Sequence, residues 1–207
     1  MSDSFQKIAI LLVGLQGAGK STIVSYLLKK GYLSLGMSEA ILWRTNNSQS
    51  FAQKYPQVEF YDKGIPYPDT AVAEAFFARI SAVEGKNLVL DACTRTVDQV
   101  DMVVTYLKEE GYQITVVHLV CAPEECKVRI AHRVAYCEAR EMEVRADDKD
   151  PEAIERRFEH HFKTILGILD RFKLHFIDIH EVDTEMPVDV VQAQVVQKLG
   201  GRIKVSV

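Results

Sequence analysis

Residues 14–21 combine glycines, a lysine and a serine at a spacing that suits phosphate binding. Their sequence, GLQGAGKS, fits the pattern G-x-x-x-x-G-K-[ST] in full. The glycines of such a loop let backbone N–H groups turn toward a phosphate, and the helix that follows adds positive potential. An apolar run over residues 8–13 predicts a buried strand directly before it. The segment therefore predicts a P-loop that binds a nucleoside triphosphate.

Two side chains of the P-loop are expected to act on the phosphates and their counter-ion. Lys20 is placed to reach the β- and γ-phosphates, and the Ser21 hydroxyl to enter the coordination shell of Mg²⁺. We therefore expect ATP and Mg²⁺ as cofactors. The predicted nucleotide-binding residues of the loop are Gly14, Gly17, Ala18, Gly19, Lys20, Ser21 and Thr22.

Asp91 is a candidate second ligand of the magnesium ion. It follows the apolar residues 88–90, which predict a buried strand, and so stands at the carboxyl end of that strand. Ligands of α/β proteins bind at this edge of the sheet. Asp91 would hold Mg²⁺ directly or through water; the alternative is that it only caps a turn.

The composition is that of one ordinary globular domain of 207 residues. A formal net charge of −4 argues against broad binding to nucleic acid. No apolar run approaches the ~18 residues that a membrane span needs, and residues 1–4 lack the basic start of a secretory signal. We expect a cytoplasmic protein that binds neither nucleic acid nor membrane, and we favour a monomer over an oligomer.

The four cysteines have no C-x-x-C spacing, which argues against a structural zinc site and favours reduced thiols. They are Cys93, Cys121, Cys126 and Cys137.

Predicted strands alternate with predicted helices along the chain, which indicates a parallel sheet with helices on both faces. Strands are expected at residues 8–13, 32–35, 87–91, 113–120 and 175–179. Helices are expected after residues 19, 68, 96, 122, 150 and 187. Residues 36–68 and 134–149 lack this regular alternation and predict two insertions. The fold class is therefore α/β, one P-loop domain of three α/β/α layers around a central five-stranded parallel sheet.

Residues 91–99 select among P-loop proteins. A GTPase would carry an N-K-x-D motif after a late strand, and none occurs in the chain. The segment DACTRTVDQ resembles D-G-[FY]-P-R-T-x-x-Q of the adenylate kinases and related nucleoside monophosphate kinases. The matching residues are Asp91, Arg95, Thr96 and Gln99.

Further segments extend this resemblance over almost the whole chain, and a lid of about ten residues resembles the short-lid branch of the family. They are residues 62–69, similar to D-x-G-x-x-[VT]-[PT]-D; Arg129 and Arg133, at the entry to the lid; residues 145–148, similar to R-x-D-D; and residues 154–158, similar to [IV]-x-x-R-L. The resemblance implies a core of residues 1–35, 69–133 and 150–207, a helical acceptor-binding insertion at 36–68 and a short lid at 134–149.

The resemblance also implies roles for the arginines. Arg129 would lie on or near the donor adenine, while Arg133, Arg145 and Arg157 would gather with Lys20 around the transferring phosphoryl group. Physical reasoning agrees for Arg157, which falls on the flank of the apolar stripe of its helix and so needs an anionic partner. Arg156 points almost opposite and is expected to be a surface charge.

The acceptor side is where the resemblance is weakest. It implies that Arg95 holds the α-phosphate of the acceptor and that Gln99 reads the base edge, although Gln99 also fits a capping box with Thr96. Aligned without gaps, the threonine of the family segment S-T-G-D-x-L-R falls on Met37 and its arginine on Leu42. With two extra residues allowed, the segment begins at Ser38 and its arginine falls on Arg44. The second alignment is preferred because it keeps an arginine at the phosphate, and it makes Ser38 and Arg44 acceptor-binding candidates.

Other departures from the family pattern are Ala92 and Thr94 in place of glycine and proline, and Ser21 in place of glycine.

The sequence thus favours a magnesium-dependent kinase that transfers the γ-phosphoryl group of ATP to a nucleoside monophosphate, with AMP as the expected acceptor. One alternative is a different acceptor, such as UMP, CMP or another small molecule. Another is a nucleotide-binding regulatory protein that has lost catalysis.

Overall fold

A parallel sheet of five strands forms the centre of the computed structural model, which describes residues 7–60, 67–83, 85–91, 93–144 and 148–200. The strands are β1 Lys7–Gly14, β2 Leu33–Gly36, β3 Leu88–Asp91, β4 Tyr112–Val120 and β5 Asp178–Asp183. Their order across the sheet is β2-β3-β1-β4-β5, and every neighbouring pair is parallel. The predicted five-stranded parallel sheet is confirmed.

Helices cover both faces of the sheet. They are α1 Lys20–Leu28, α2 Met37–Asn47, α3 Gln49–Lys54, α4 Asp69–Ser81, α5 Val97–Glu109, α6 Pro123–Glu138, α7 Pro151–Leu174 and α8 Val188–Leu199. Along β1 the side chains alternate between two cores, because successive residues of a strand point to opposite faces. Leu11 packs with residues of α4, α5 and α7, whereas Leu12 packs with residues of α1, α6 and α8. The predicted three-layer fold is therefore confirmed.

The predicted insertion at 36–68 forms short helices outside the sheet. It contains α2, α3 and a 3₁₀ turn at Gln57–Glu59. Phe51 and Tyr55 anchor it, since both are buried and their ring centroids lie 5.0 Å apart. Ser48 caps α3 by accepting a hydrogen bond from the backbone N–H of Phe51. Residues 61–66, which carry most of the 62–69 resemblance, lie outside the described residues.

The predicted bounds of the last strand, 175–179, are wrong. β5 covers Asp178–Asp183, because α7 continues through Leu174 and a turn follows. In that turn Phe176 has a φ of 58° and is 95% exposed, so the apolar residue that suggested a strand contributes nothing to the core. α6 runs through Glu138 and occupies the first residues of the predicted lid, because its backbone hydrogen bonds continue to Ala139.

Among the described residues, no helix is both long enough and apolar enough to cross a bilayer.

An ionic contact fixes the carboxyl-terminal end of α7 against α5. Asp101 of α5 accepts two hydrogen bonds from the Arg171 guanidinium, and its Oδ1 lies 2.7 Å from Nε2 of His175. These partners lower the pKa of Asp101 to about 2, chiefly through the hydrogen bonds from Arg171 and then from His175. The side chain of Lys108 adds a bond to the His175 carbonyl oxygen at 2.9 Å.

We expect Asp101→Asn to lower the melting temperature at pH 7 by about 2–4 °C. A carboxylate whose folded pKa is depressed stabilises the protein above its unfolded pKa, near 3.8, and loses that contribution as pH falls through about 2. The difference between variant and wild type should therefore shrink between pH 4 and pH 2 in thermal unfolding followed by circular dichroism. Asp170→Asn is the matched control, since Asp170 lies on the same helix and pairs with Lys173, and both side chains are exposed. A constant difference over this pH range would contradict the role of Asp101.

Candidate active site

A cavity of about 890 Å³ opens at the carboxyl ends of β1 and β3. The P-loop, Asp91 and arginines of α6 and α7 line this cavity. The position agrees with the rule that parallel sheets bind ligands beyond the carboxyl ends of their strands. The residues of its lining include Gly14, Gln16, Lys20, Ser21, Asp91, Thr94, Arg95, Arg129, Arg133, Arg156, Arg157, His161 and Thr184.

Two P-loop glycines are required by close packing. A Cβ atom at Gly14 would lie 2.6 Å from the carbonyl oxygen of Leu119 in β4. A Cβ atom at Gly17 would lie 2.5 Å from the carbonyl oxygen of Cys126 in α6. Gly17 also has a φ of 89°, which L side chains rarely adopt. The P-loop therefore rests directly on the backbone of β4 and α6.

Lys20 lies over this loop at the start of α1. Its Nζ donates to the carbonyl oxygens of Gly14 at 2.8 Å and of Leu15 at 2.9 Å. Burial lowers the pKa of Lys20, and the Asp91 carboxylate acts in the opposite direction. The ammonium group is thus held in the cavity, where the negative charge of a phosphate would offset its loss of hydration.

Asp91 and Ser21 fit a magnesium site. Oδ1 of Asp91 is buried and has no hydrogen-bond partner among the described residues, which is costly for a carboxylate unless a cation or water meets it. Ser21 offers a hydroxyl on the same cavity. In the described part of the chain, no group of three or more His, Cys, Asp or Glu side chains could hold a metal. Phosphate oxygens and water would therefore complete the shell, as is usual for Mg²⁺.

Arg133 and Arg157, predicted as a phosphoryl clamp, are brought together beside the P-loop. Nη2 of Arg133 donates to Oδ2 of Asp148 at 2.7 Å, and Nη1 of Arg157 lies 3.9 Å from Oδ1. The Asp148 side chain is only 2% exposed. Gln16 of the P-loop contacts both Asp148 and Arg157. Arg145, the third predicted member, lies outside the described residues.

Arg129 lines the cavity one turn of α6 before Arg133. Its Nε donates to Glu125 at 2.8 Å, and its Nη2 donates to the carbonyl oxygen of Thr184 at 2.7 Å. Met186 and Val188 continue the wall beyond Thr184 and are apolar. A guanidinium plane beside an apolar wall can accommodate a flat aromatic base.

The structure separates the four predicted acceptor residues. Only Arg95 lines the cavity. Ser38 is exposed on α2 and is not part of the cavity wall, and Arg44 lies on the same helix with its Nη2 3.5 Å from Glu74. Gln99 is buried and also stands outside the cavity wall.

The Gln99 side chain bonds to other protein groups. Its Oε1 accepts from the backbone N–H of Arg95 and its Nε2 donates to Asp69, both at 2.8 Å. Its own backbone N–H donates to Oγ1 of Thr96 at 3.2 Å, which caps α5. Thr96 thus caps α5 as the capping interpretation predicts, whereas the Gln99 side chain accepts from the backbone N–H of Arg95 and not from that of Thr96. The proposed reading of a base by Gln99 stays a prediction.

Arg156 reaches the rim of the cavity, but surface carboxylates pair with it. Its side chain is 63% exposed and lies 3.3 Å from both Asp150 and Glu152. The prediction of a surface charge agrees with this position.

Sequence reasoning missed several contributors to the cavity, among them Gln16 and His161 besides Thr184, Met186 and Val188. Gln16 occupies a position that the P-loop pattern leaves unspecified, so no signal in the motif pointed to it. His161, which matches none of the family segments, lines the cavity on α7. Burial lowers the pKa of His161 to about 4, with Lys20, His118 and His160 adding to the effect, so the imidazole is neutral at pH 7.

Comparison with known proteins gives a family match and several relatives. The AAA domain family matches residues 10–161. The chain is 27% identical to an adenylate kinase of Caldicellulosiruptor bescii, with 79% of this chain and 86% of the relative covered. It is 26% identical to an adenylate kinase of Xanthobacter autotrophicus, with 90% and 95% covered. An adenylate kinase of Streptococcus suis is 24% identical, with 88% and 93% covered.

We expect Gly17→Ala to weaken ATP binding about tenfold or more. The added Cβ would clash with the Cys126 carbonyl at 2.5 Å and sit at a strained φ, and strain of about 1–3 kcal/mol corresponds to about a factor of ten per 1.4 kcal/mol. Gly31→Ala is the matched control, because Gly31 has a similar φ of 84° but nothing within 4 Å of the added atom. Isothermal titration calorimetry with ATP should separate the two variants. Equal affinities would contradict the packing argument.

Proposed function

The chain belongs to the AAA domain family of P-loop proteins, and on that premise we propose that it is a nucleoside monophosphate kinase that uses AMP. The reaction is ATP + AMP ⇌ 2 ADP. One observation carries the proposal: Lys20, Arg133 and Arg157 converge on a single cavity beside the P-loop. The adenylate kinases of Caldicellulosiruptor bescii and Xanthobacter autotrophicus support it, since the similarity covers 86% and 95% of their length.

The chemistry requires charge and position more than reactive side chains. Phosphoryl transfer spreads negative charge over the equatorial oxygens, and catalysis is largely positioning and electrostatic stabilisation. Lys20 counters charge on the β- and γ-phosphates from the P-loop side. Arg133 and Arg157 counter it from α6 and α7 with planar groups that stay ionised in a dry site. No protein nucleophile or general base is needed in this scheme.

Magnesium would be held by Ser21 and Asp91, and when bound it neutralises phosphate charge. The donor adenine would lie against Arg129, whose guanidinium is held by Glu125 and the Thr184 carbonyl. Gly14, Gly17, Ala18, Gly19 and Thr22 would supply the phosphate cradle through their backbone. The role of Arg145 follows from the resemblance of its segment alone.

The acceptor would be held by Arg95, which lines the cavity beside Thr94. AMP is proposed because the relatives are adenylate kinases and because residues 91–99 resemble that family. A different nucleotide or small molecule is the second candidate. It is favoured by the position of Arg44, which pairs with Glu74, and of Gln99, whose amide bonds to Asp69.

Water must be excluded for transfer to compete with hydrolysis of ATP. Two segments are proposed to close over the two substrates. They are the insertion at 36–68 and the segment between α6 and α7.

Arg133→Ala and Arg157→Ala should each lower kcat by about 10²–10³-fold, because each removes a preorganised donor to the transferring group. Arg156→Ala is the control and should stay within about twofold of wild type, since Arg156 is paired by surface carboxylates. A coupled assay of ADP formation measures all three. Near wild-type turnover of both clamp variants would exclude the proposed role.

An acceptor panel of AMP, CMP, UMP, dTMP and GMP with ATP and Mg²⁺ tests the substrate. We expect ADP formation to be fastest with AMP. Turnover of another acceptor without turnover of AMP would replace AMP as substrate and retain the kinase. ATP binding without transfer to any acceptor would instead establish a nucleotide-binding regulatory protein.

A further inference from the structure

Gln16 is the third residue of the P-loop, and its side chain spans two oppositely charged groups. Its Nε2 donates to Oδ1 of Asp148, and its Oε1 accepts from Nη1 of Arg157 at 2.5 Å. Asp148 and Arg157 are 132 and 141 residues away in sequence. The amide therefore ties the phosphate loop to the segment before α7 and to α7 itself.

The contacts form one continuous chain, Arg157–Gln16–Asp148–Arg133. Asp148 completes it by accepting from Arg133 through its second oxygen at 2.7 Å. The carboxylate is 2% exposed, so water cannot replace these partners. These contacts therefore hold both guanidinium groups of the proposed clamp in position relative to the P-loop.

A carboxamide suits this place because it presents a donor to the carboxylate and an acceptor to the guanidinium. A glutamate would repel Asp148, a lysine would repel Arg157, and an alanine would connect neither. The two bonds to ionised partners are shorter and stronger than bonds between neutral groups.

We infer that Gln16 is a positioning residue for phosphoryl transfer, one that aligns Arg157 directly and Arg133 through Asp148. The inference rests on the proposed kinase function. Gln16 acts through the arginines, so its removal should affect the rate of transfer more than the binding of nucleotide.

The first test is Gln16→Ala, measured by steady-state kinetics and by ATP affinity. We expect kcat to fall about 10–100-fold, the range that a misplacement of about 1 Å produces, with the Kd for ATP changed less than about threefold. Gln197→Ala, at an exposed position of α8, is the matched control and should match wild type. An unchanged kcat in an active, folded Gln16→Ala enzyme would overturn the inference, as would an equal loss in kcat and ATP affinity.

The second test exchanges the charge between the two bonded side chains. Gln16→Glu should lower kcat more than Gln16→Ala, because it sets two carboxylates against each other. The double variant Gln16→Glu with Asp148→Asn can re-form the chain, since the new amide donates to the new carboxylate and Arg157 still has an acceptor. We expect the double variant to regain at least about tenfold over Gln16→Glu. A double variant no better than Gln16→Glu would contradict the bridge.

A measurement without turnover separates this inference from the proposed function. Hydrogen exchange of the Arg157 guanidinium protons, followed by NMR, should accelerate about tenfold or more in Gln16→Ala and remain unchanged in Gln197→Ala. If wild type transfers phosphoryl to no acceptor but Arg157 loses protection, the proposed function fails and the positioning contact stands. If Arg157 keeps its protection in Gln16→Ala, the positioning role fails whatever the reaction.

Discussion

β1 pairs in parallel with β3 on one side and β4 on the other, so three carboxyl ends lie together at one edge of the sheet. The register sets Asp91 beside Leu12 and Gly14 beside Leu119. The P-loop must then turn within contact of the β4 and α6 backbones, where only glycine leaves enough space at Gly14 and Gly17. This packing places the loop, the Asp91 carboxylate and the arginines of α6 around one cavity.

The cavity concentrates positive charge in a chain whose formal net charge is −4. Mutual repulsion among the cations is offset locally, because Glu125 meets Arg129 and Asp148 meets Arg133. The same carboxylates fix where each guanidinium points. A chain with a formal net charge of −4 can thus carry a cationic cavity through the local placement of a few side chains.

The sequence predicts features that depend on local pattern or on strand ends. The P-loop, the position of Asp91 at the end of β3 and the central β1 follow from short apolar runs and glycine spacing. The end of α7 and the start of β5 could not be predicted in this way. The apolar residues near Phe176 suggest a strand, whereas the contacts of Asp101 with Arg171 and His175 join residues that are far apart in sequence. The contacts of Gln16 could not be predicted for a related reason, because its partners lie more than 130 residues away in sequence.

Helix α7 links the ion pair at its carboxyl-terminal end to the cavity near its amino-terminal end. The contact of Asp101 with Arg171 fixes the carboxyl-terminal end, and Arg157 lies 14 residues earlier, about 21 Å away at 1.5 Å per residue. A tilt of about 5° about the fixed end would move Arg157 by about 2 Å, which exceeds the tolerance of a hydrogen bond. The position of Arg157 in the proposed clamp therefore depends in part on an ion pair about 21 Å away along α7.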